Sequence, residues 1–295
     1  MSVLRRFVLF LRMIKFSHSV FALPFAFTAA LMAAGGVPSV RKVFFITLAM
    51  VGARSGAMAT NRIVDRKIDA RNPRTAKREL PAGKLGLGET VMFAVLSFAV
   101  LGFAAWMLNP LCLTLFPLAV FLVVFYSFTK RFTWASHLFL GIAISLAPLG
   151  AWLAIRGEFA PVETVVALTL AVVFWLAGFD IIYALQDLDF DSSSGLYSIP
   201  ARFGAANSLV MARLCHITSM FMLALAGAFS GRGALYWAGL AIAGGLFLYE
   251  HRLVRADRNG EVSLVNLNMA FFNMNGWISI TVLAFTLLDY VLPLR

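Results

Sequence analysis

Apolar residues fill long, nearly unbroken stretches of this chain, and short polar segments separate them. A helix of roughly 20 apolar residues is long enough to cross the hydrocarbon core of a bilayer, about 30 Å thick. The pattern predicts nine such helices, at residues 17–34, 42–60, 90–107, 110–127, 134–155, 164–185, 207–229, 233–249 and 268–291. We therefore expect an all-α, polytopic membrane protein in which residues 1–295 form one domain.

The composition indicates that lipid surrounds these helices. Hydrophobic residues make up 61% of the chain and charged residues only 13%, with a mean hydropathy of +0.85. Soluble domains carry about a quarter charged residues, and the strands of membrane barrels alternate instead of running continuously. Ahead of the first span, residues 1–16 place Phe7, Val8, Leu11 and Ile14 opposite basic side chains, which predicts an interfacial amphipathic helix.

Basic residues are concentrated on one side of the predicted membrane. The net charge is +11, but no nucleic-acid-binding motif accompanies it, so we expect lipid and no nucleic acid as the partner. With a cytoplasmic N-terminus, eighteen Lys and Arg fall in cytoplasmic segments and five fall outside, as the positive-inside rule requires. We expect a bacterial inner-membrane protein with its active site on the cytoplasmic side.

Two acidic segments follow apolar runs, and both are predicted to face the cytoplasm. Their polar residues recur at every fourth position: Asn61, Asp65 and Asp69 in the first segment, and Tyr183, Asp187 and Asp191 in the second. Residues four apart share one face of a helix, and like charges there repel unless a cation lies between them. Because the segments follow the second and sixth spans, we expect two pseudo-repeated halves of four helices.

The chemistry that suits these segments is binding of a metal and a diphosphate. Mg²⁺ takes one or two carboxylates together with phosphate oxygens and water, and Arg or Lys binds the remaining phosphate oxygens. Basic residues are abundant on the same face, and the spans supply apolar surface. A diphosphate on a hydrophobic tail fits this combination. The alternative is structural: helix ends at the membrane surface whose acids pair with neighbouring Arg and Lys.

The motifs also resemble a known family. The segment NRIVDRKIDARNPRTAKRELPAGKL is similar to the first aspartate motif of the UbiA superfamily of intramembrane prenyltransferases, and YALQDLDFD is similar to its second. The stretch YSFTKRFTWASHLFLG lies between them. The resemblance implies that an isoprenyl diphosphate binds through two Mg²⁺ ions, one on each motif. Ionisation then leaves an allylic cation, which an aromatic acceptor attacks.

The resemblance assigns roles to particular positions. It implies that metal binding and catalysis rest on Asp65, Asp69, Asp187 and Asp191. It implies substrate contacts for Asn61, Arg74, Tyr126, Lys130 and Tyr183. Asp189 is expected not to be a ligand, and Asp180 is expected at most to support the site from behind the ligands.

The acceptor is expected to be a small aromatic acid, 4-hydroxybenzoate or a hydroxynaphthoate, prenylated on the way to ubiquinone or menaquinone. Lys15 and His18 are placed to hold its carboxylate at the mouth of the first span. The alternative is that Lys15 anchors the interface and His18 caps the helix. The stretch KFSHSVFALPF departs from that of proteobacterial hydroxybenzoate enzymes and is closer to the branch serving other quinone routes, so an acceptor other than a benzoate stays open.

Two other functions fit part of the pattern. A cation-coupled transporter would use paired aspartates and a pseudo-repeat, but its ion sites lie near the bilayer midplane and these acids lie at span ends. A CDP-alcohol phosphotransferase is also a membrane enzyme that uses Mg²⁺. Its D-x2-D-G-x2-A-R pattern is absent from the sequence.

Overall fold

The computed structural model describes residues 3–14, 22–255 and 274–292, and this part of the chain is helical with no strand. The helices are α1 Val3–Met13, α2 Ala22–Ala34, α3 Val40–Arg71, α4 Leu87–Leu108, α5 Pro110–Thr129, α6 Ser136–Arg156, α7 Val162–Ala184, α8 Leu188–Ser194, α9 Ile199–Phe229, α10 Ala234–Leu253 and α11 Asn275–Val291. A 3₁₀ turn, Leu185–Asp187, joins α7 to α8.

The described part of each apolar run predicted to cross the membrane coincides with a helix, but the count of nine spans is not confirmed. Six helical segments in the described ranges are long and apolar enough to cross: Val40–Arg71, Leu87–Leu108, Pro110–Thr129, Ser136–Arg156, Val162–Ser194 and Ile199–Phe229. The described parts of the first and last predicted spans are the shorter apolar helices α2 and α11, and α10 falls outside the six. An apolar run sets where a helix forms, while its length and its mean hydropathy together decide whether it can cross alone.

Helix α7 lies at the centre of the bundle. It packs most extensively against α9 and α6, and Ala171 and Trp175 are fully buried. A Cβ atom at Gly141 of α6 would lie 2.3 Å from the carbonyl oxygen of Val173, so only glycine permits this close approach. Helices α6 and α7 therefore form a closely packed wall. The polar residues at the ends of the spans lie beside it.

The first residues of α9 are separated from its membrane span by a bend. Ser198 caps the helix by accepting a hydrogen bond from the backbone N–H of Ala201. Gly204 has a φ of +76°, a conformation that L-residues rarely adopt, and it breaks the helix there. The short turn before the bend therefore lies beside α8 and the second aspartate motif.

Helix α1 is amphipathic, as expected, and its apolar side packs against protein. Met13 and the following Ile14 are buried with Ala59 of α3 and Ala94 of α4. The ring of Phe10 stacks on Phe93 with centroids 4.7 Å apart. The helix is thus docked on α3 and α4, and its contact with a membrane surface stays a prediction.

Candidate active site

The first aspartate motif lies in the last third of α3. No proline interrupts Val40–Arg71, and Pro73 follows Asn72, which disfavours further helix and ends the segment. Asp65 and Asp69 lie on the same face, with only 3% and 4% of their surfaces exposed. Buried carboxylates need positive or hydrogen-bonding partners, because desolvation of an unpaired charge is expensive.

Asp65 is bound by two cations from the end of α5. Lys130 Nζ lies 2.5 Å from Oδ2, and Arg131 Nη2 lies 3.0 Å from Oδ1. Asn61, one turn earlier in α3, donates from Nδ2 to the same Oδ2 at 3.2 Å. The residue pair Asn61–Asp65 and the basic end of α5 therefore form one network.

Asp69 is held by the loop that follows its own helix. Arg78 Nη1 lies 2.7 Å and 2.8 Å from the two carboxylate oxygens, and Arg62 Nη1 lies 3.9 Å away. The hydroxyl of Thr75 donates to the backbone carbonyl of Asp69 at 3.0 Å. The basic tail of the motif thus folds back over its acids.

The second motif starts where α7 gives way to the 3₁₀ turn. Asp187 accepts hydrogen bonds from Asn72 Nδ2 and Arg74 Nε, each at 2.9 Å, and Arg74 Nη2 binds its other oxygen. Arg74 Nη1 also donates to the hydroxyl of Tyr183 at 2.9 Å. Burial opposes the charge on Arg74, but these bonds outweigh that effect and raise the pKa of Arg74 above its ordinary value.

The remaining acids of the second motif differ in position. Asp191, in α8, is half-buried and hydrogen-bonds the side chain of Ser198. Asp189, on the same short helix, is exposed and does not line the cavity described next. Lys15 and His18 lie outside the described residues, so their placement stays a prediction.

Both motifs open onto one cavity of about 570 Å³. Nine of the predicted site residues line it: Asn61, Asp65, Asp69, Arg74, Tyr126, Lys130, Tyr183, Asp187 and Asp191. Away from the motifs the wall is apolar, with Met50, Leu101, Phe116, Val123, Ala147 and Trp175 among its residues. On α3 the lining runs from Ile46 to Asp69, about 35 Å at 1.5 Å per residue, which matches the thickness of a bilayer core.

Two charged residues on this wall were not expected to have a direct role. Arg54 of α3 lines the apolar part, and its Nε atom is buried with no hydrogen-bond partner among the described residues. Asp180 of α7 lies 2.7 Å from Nδ1 of His137 on α6. In the sequence, each is a single ionisable residue inside a long apolar run. Placing such a residue in a membrane costs free energy, so it usually has a function.

Asp65, Asp69 and Asp187 are paired with Lys or Arg, and the motif carboxylates do not form a ready-made metal cage. Within the described ranges, no three acidic, His or Cys side chains converge in a way that would hold a metal ion. The donor set nevertheless fits Mg²⁺ carried by a diphosphate, since Mg²⁺ then takes only one or two carboxylates. Five acidic and five basic side chains line the cavity, so their formal charges cancel. A diphosphate together with Mg²⁺ therefore suits the cavity better than either ion alone.

Comparisons with known proteins identify the family of the chain. The model of the UbiA prenyltransferase family matches residues 22–276. The chain is 32% identical over 263 residues to a 4-hydroxybenzoate octaprenyltransferase of Azoarcus sp., covering 88% of both chains. It is 34% identical over 265 residues to the enzyme of that name from Pseudomonas fluorescens, covering 88% of this chain and 85% of the other.

Solved structures share the architecture. The apo structure of a UbiA homolog from Aeropyrum pernix K1 superposes with a TM-score of 0.82 at 30% identity, covering 92% of this chain and 98% of the other. A UbiA homolog from Archaeoglobus fulgidus bound to DMAPP and Mg²⁺ shares the fold, with a TM-score of 0.68 at 20% identity and coverage of 96% and 99%. The protein with two aspartate motifs at one end of an apolar cavity thus belongs to the UbiA prenyltransferase family.

Proposed function

We propose that this prenyltransferase moves a polyprenyl group from polyprenyl diphosphate to a ring carbon of 4-hydroxybenzoate, using Mg²⁺, at the cytoplasmic face of a bacterial inner membrane. The observation that carries the proposal is the single cavity, which joins both aspartate motifs to a long apolar wall. The diphosphate occupies the polar end and the isoprenoid tail lies along the apolar part. A transporter or a phosphotransferase is set aside, because the family is one of prenyltransferases.

The polar end has the groups that a metal-bound diphosphate requires. Asp65 and Asp69 on one motif, and Asp187 and Asp191 on the other, are the carboxylates that would hold Mg²⁺. Magnesium, when bound, neutralises the diphosphate and so weakens its bond to the prenyl carbon. This fits the balanced charge of the cavity, because two Mg²⁺ ions offset the roughly three negative charges of a diphosphate ester.

The cations now paired with the aspartates are the donors for the diphosphate oxygens. Lys130 and Arg131 bind Asp65, Arg78 binds Asp69, and Arg74 binds Asp187. With Mg²⁺ held by the carboxylates, Lys130, Arg131, Arg78 and Arg74 would be free to donate to the phosphate oxygens. The substrate complex would then exchange one set of ion pairs for another and leave no charge buried alone.

The acceptor carboxylate has two possible partners in this proposal. Lys15 and His18 are the residues that the sequence favours. Arg54 is the residue that the structure favours, because it lines the cavity and its buried Nε has no partner within the described ranges. A carboxylate beside Arg54 would satisfy both charges inside the membrane. The Lys15–Phe25 stretch favours a different quinone route, but the relatives are named for 4-hydroxybenzoate and the proposal follows them.

The test is prenyl transfer by the purified protein reconstituted in lipid, with Mg²⁺ and octaprenyl diphosphate. Radiolabelled 4-hydroxybenzoate and 1,4-dihydroxy-2-naphthoate are supplied in parallel reactions. We expect a prenylated hydroxybenzoate that is not formed when EDTA replaces Mg²⁺. Product from the naphthoate alone would move the enzyme to the menaquinone route, and product from neither acid would overturn the proposal.

A further inference from the structure

A polar pair lies on the cavity wall apart from both aspartate motifs. His137 Nδ1 is 2.7 Å from Asp180 Oδ2, and the backbone N–H of Ile199 donates to His137 Nε2 at 3.2 Å. Because Nε2 accepts a bond from a backbone amide, the ring proton is on Nδ1 and is donated to Asp180. The imidazole is neutral in this arrangement, and it fixes the orientation of the carboxylate.

Asp180 differs from each carboxylate assigned to metal binding on the same wall. Asp65, Asp69 and Asp187 each accept a hydrogen bond from Lys or Arg. Asp191 lies on α8 in the second motif and is bound by Ser198. Within the described ranges Asp180 pairs with no Lys or Arg, and its Oδ1 atom accepts no hydrogen bond. Its side chain keeps 23% of its surface exposed, and it lines the cavity. One carboxylate oxygen is therefore available to a ligand.

The position of Asp180 separates it from the diphosphate end. It lies seven residues before Asp187, which is about 10 Å along a helix. The titratable groups beside it are Tyr126 from α5 and His137 from α6, and both line the cavity. A ligand group that donates a hydrogen bond suits this oxygen better than a phosphate does, because two anions would repel each other.

We propose that Asp180 is a catalytic residue that binds the hydroxyl group of the aromatic acceptor and accepts its proton. His137 is the positioning residue that holds Asp180 in place. This inference rests on the proposed function and adds to it the group that activates the acceptor. It makes a phenolic hydroxyl the feature by which an acceptor is selected.

The reaction balances with this assignment. The prenyl C–O bond breaks and diphosphate leaves, while a ring carbon beside the hydroxyl forms the new C–C bond. Asp180 takes the hydroxyl proton as the ring supplies the electron pair, which gives a neutral dienone. The ring carbon then loses its proton to the departing diphosphate, and Asp180 returns the first proton to the oxygen, restoring the aromatic phenol.

The experiment compares native protein with Asp180→Asn, His137→Leu and His137→Gln, with Glu163→Gln as the control. Glu163 is an exposed acid at the other end of α7. Steady-state rates are measured for 4-hydroxybenzoate and for 3-fluoro-4-hydroxybenzoate, whose hydroxyl is more acidic, from neutral to alkaline pH. Acceptor binding is followed separately by equilibrium binding of radiolabelled 4-hydroxybenzoate to the reconstituted protein.

We expect Asp180→Asn to lower kcat on the order of 10²-fold, since general bases contribute that much or more, with the KM for the prenyl donor unchanged. The loss should shrink at alkaline pH and with the fluorinated acceptor, because each ionises without help. His137→Leu should follow the same pattern, and His137→Gln, which keeps a donor, should lose less. Glu163→Gln should match native protein.

Two results would overturn the inference while the proposed function stands. One is native-like activity of Asp180→Asn. The other is a loss in Asp180→Asn that is equal for both acceptors and at every pH, as a purely structural role would give. Native protein that transfers nothing to either phenolic acid overturns the proposed function and this inference together. Asp180→Asn preserves side-chain shape, so the test does not depend on the folding of His137→Leu.

Discussion

Arg74 joins the two aspartate motifs, because its Nε atom donates to Oδ1 of Asp187 at 2.9 Å while Arg74 itself follows the first motif in sequence. Asn72 donates to the same oxygen at 2.9 Å. The loop after α3 is thus tied to the start of the second motif by a fork of hydrogen bonds. Whatever binds one motif is therefore coupled to the position of the other.

Arg74→Lys should weaken prenyl diphosphate binding although the charge is kept. In the proposed substrate complex Arg74 turns from Asp187 to the phosphate oxygens, and a lysine cannot offer them two nitrogens while keeping the bond to Tyr183. Loss of a charged hydrogen bond costs about 1.5–3 kcal/mol, so the donor KM should rise about 10- to 100-fold. The acceptor KM should change little, and an unchanged donor KM would contradict the assignment. Arg71→Lys, at an exposed position on α3, is the matched control.

Asp65, Asp69, Asp187 and Asp191 should each be required for activity with Mg²⁺. Replacing any one by Ala should lower the rate on the order of 10²–10⁴-fold, because the carboxylate supports charge that develops on the diphosphate. Asp189→Ala is the control, with a much milder loss expected since Asp189 is exposed. Full activity of Asp191→Ala, or of native protein in EDTA, would exclude the metal site. An equal loss in Asp189→Ala would mean that the metal ligands of the second motif are not the acids spaced four residues apart.

Magnesium and diphosphate should stabilise the protein together more than separately. The cavity wall carries equal numbers of acidic and basic side chains, so either ligand alone leaves an excess of charge. A ligand at 100 times its Kd adds about 2.7 kcal/mol of stability, which is readily visible as a rise in Tm. Thermal unfolding with Mg²⁺, with inorganic diphosphate and with both measures this without turnover. Equal shifts for diphosphate with and without Mg²⁺ would count against joint binding.

Arg54→Met should raise the acceptor KM and, at the same time, raise Tm. The substitution removes a buried guanidinium Nε that lacks a hydrogen bond within the described ranges, and it keeps most of the side-chain volume. Lys15→Ala and His18→Ala test the competing assignment, in which they raise the acceptor KM more than the donor KM. The variant that changes only the acceptor KM identifies the group that binds the carboxylate. If Lys15→Ala and His18→Ala weaken only the donor, their assignment is wrong.

Topology can be tested from outside intact cells. In a variant whose Cys112 and Cys215 are replaced by Ser, a single Cys at Ala76 should resist an impermeant maleimide, whereas one at Gly157 should react. Ala76 lies in the basic loop after α3, and Gly157 follows α6 at the opposite end of the bundle. The expectation comes from the distribution of Lys and Arg. The reverse labelling pattern would refute a cytoplasmic active site.

The local patterns of the sequence were enough to predict the class of this protein and the helix face that carries its first acidic motif. Continuous apolar runs can satisfy their backbone groups in lipid only as helices, so an all-α membrane fold followed directly. The four-residue spacing of Asp65 and Asp69 placed both on one helix face, and α3 does extend through them to Arg71. These features are local, and helical periodicity is enough to predict them.

Contacts between residues that are far apart in sequence depend on the folded chain. Arg74 and Asp187 are 113 residues apart in sequence, and Lys130 is 65 residues from Asp65, so no local pattern could pair them. The bond from Ile199 to His137, which fixes the ring beside Asp180, depends likewise on the packing of α6, α7 and α9.

The burial of α1 was also outside the reach of the sequence. An amphipathic helix has the same pattern whether its apolar face meets lipid or protein, and here Met13 and Ile14 meet α3 and α4. A short apolar helix such as α2 is stable in the bundle because its neighbours bury it, with Phe25 packed against Trp175. Hydropathy reports how apolar a segment is. Whether lipid or another helix covers that segment depends on the packing of the whole folded chain.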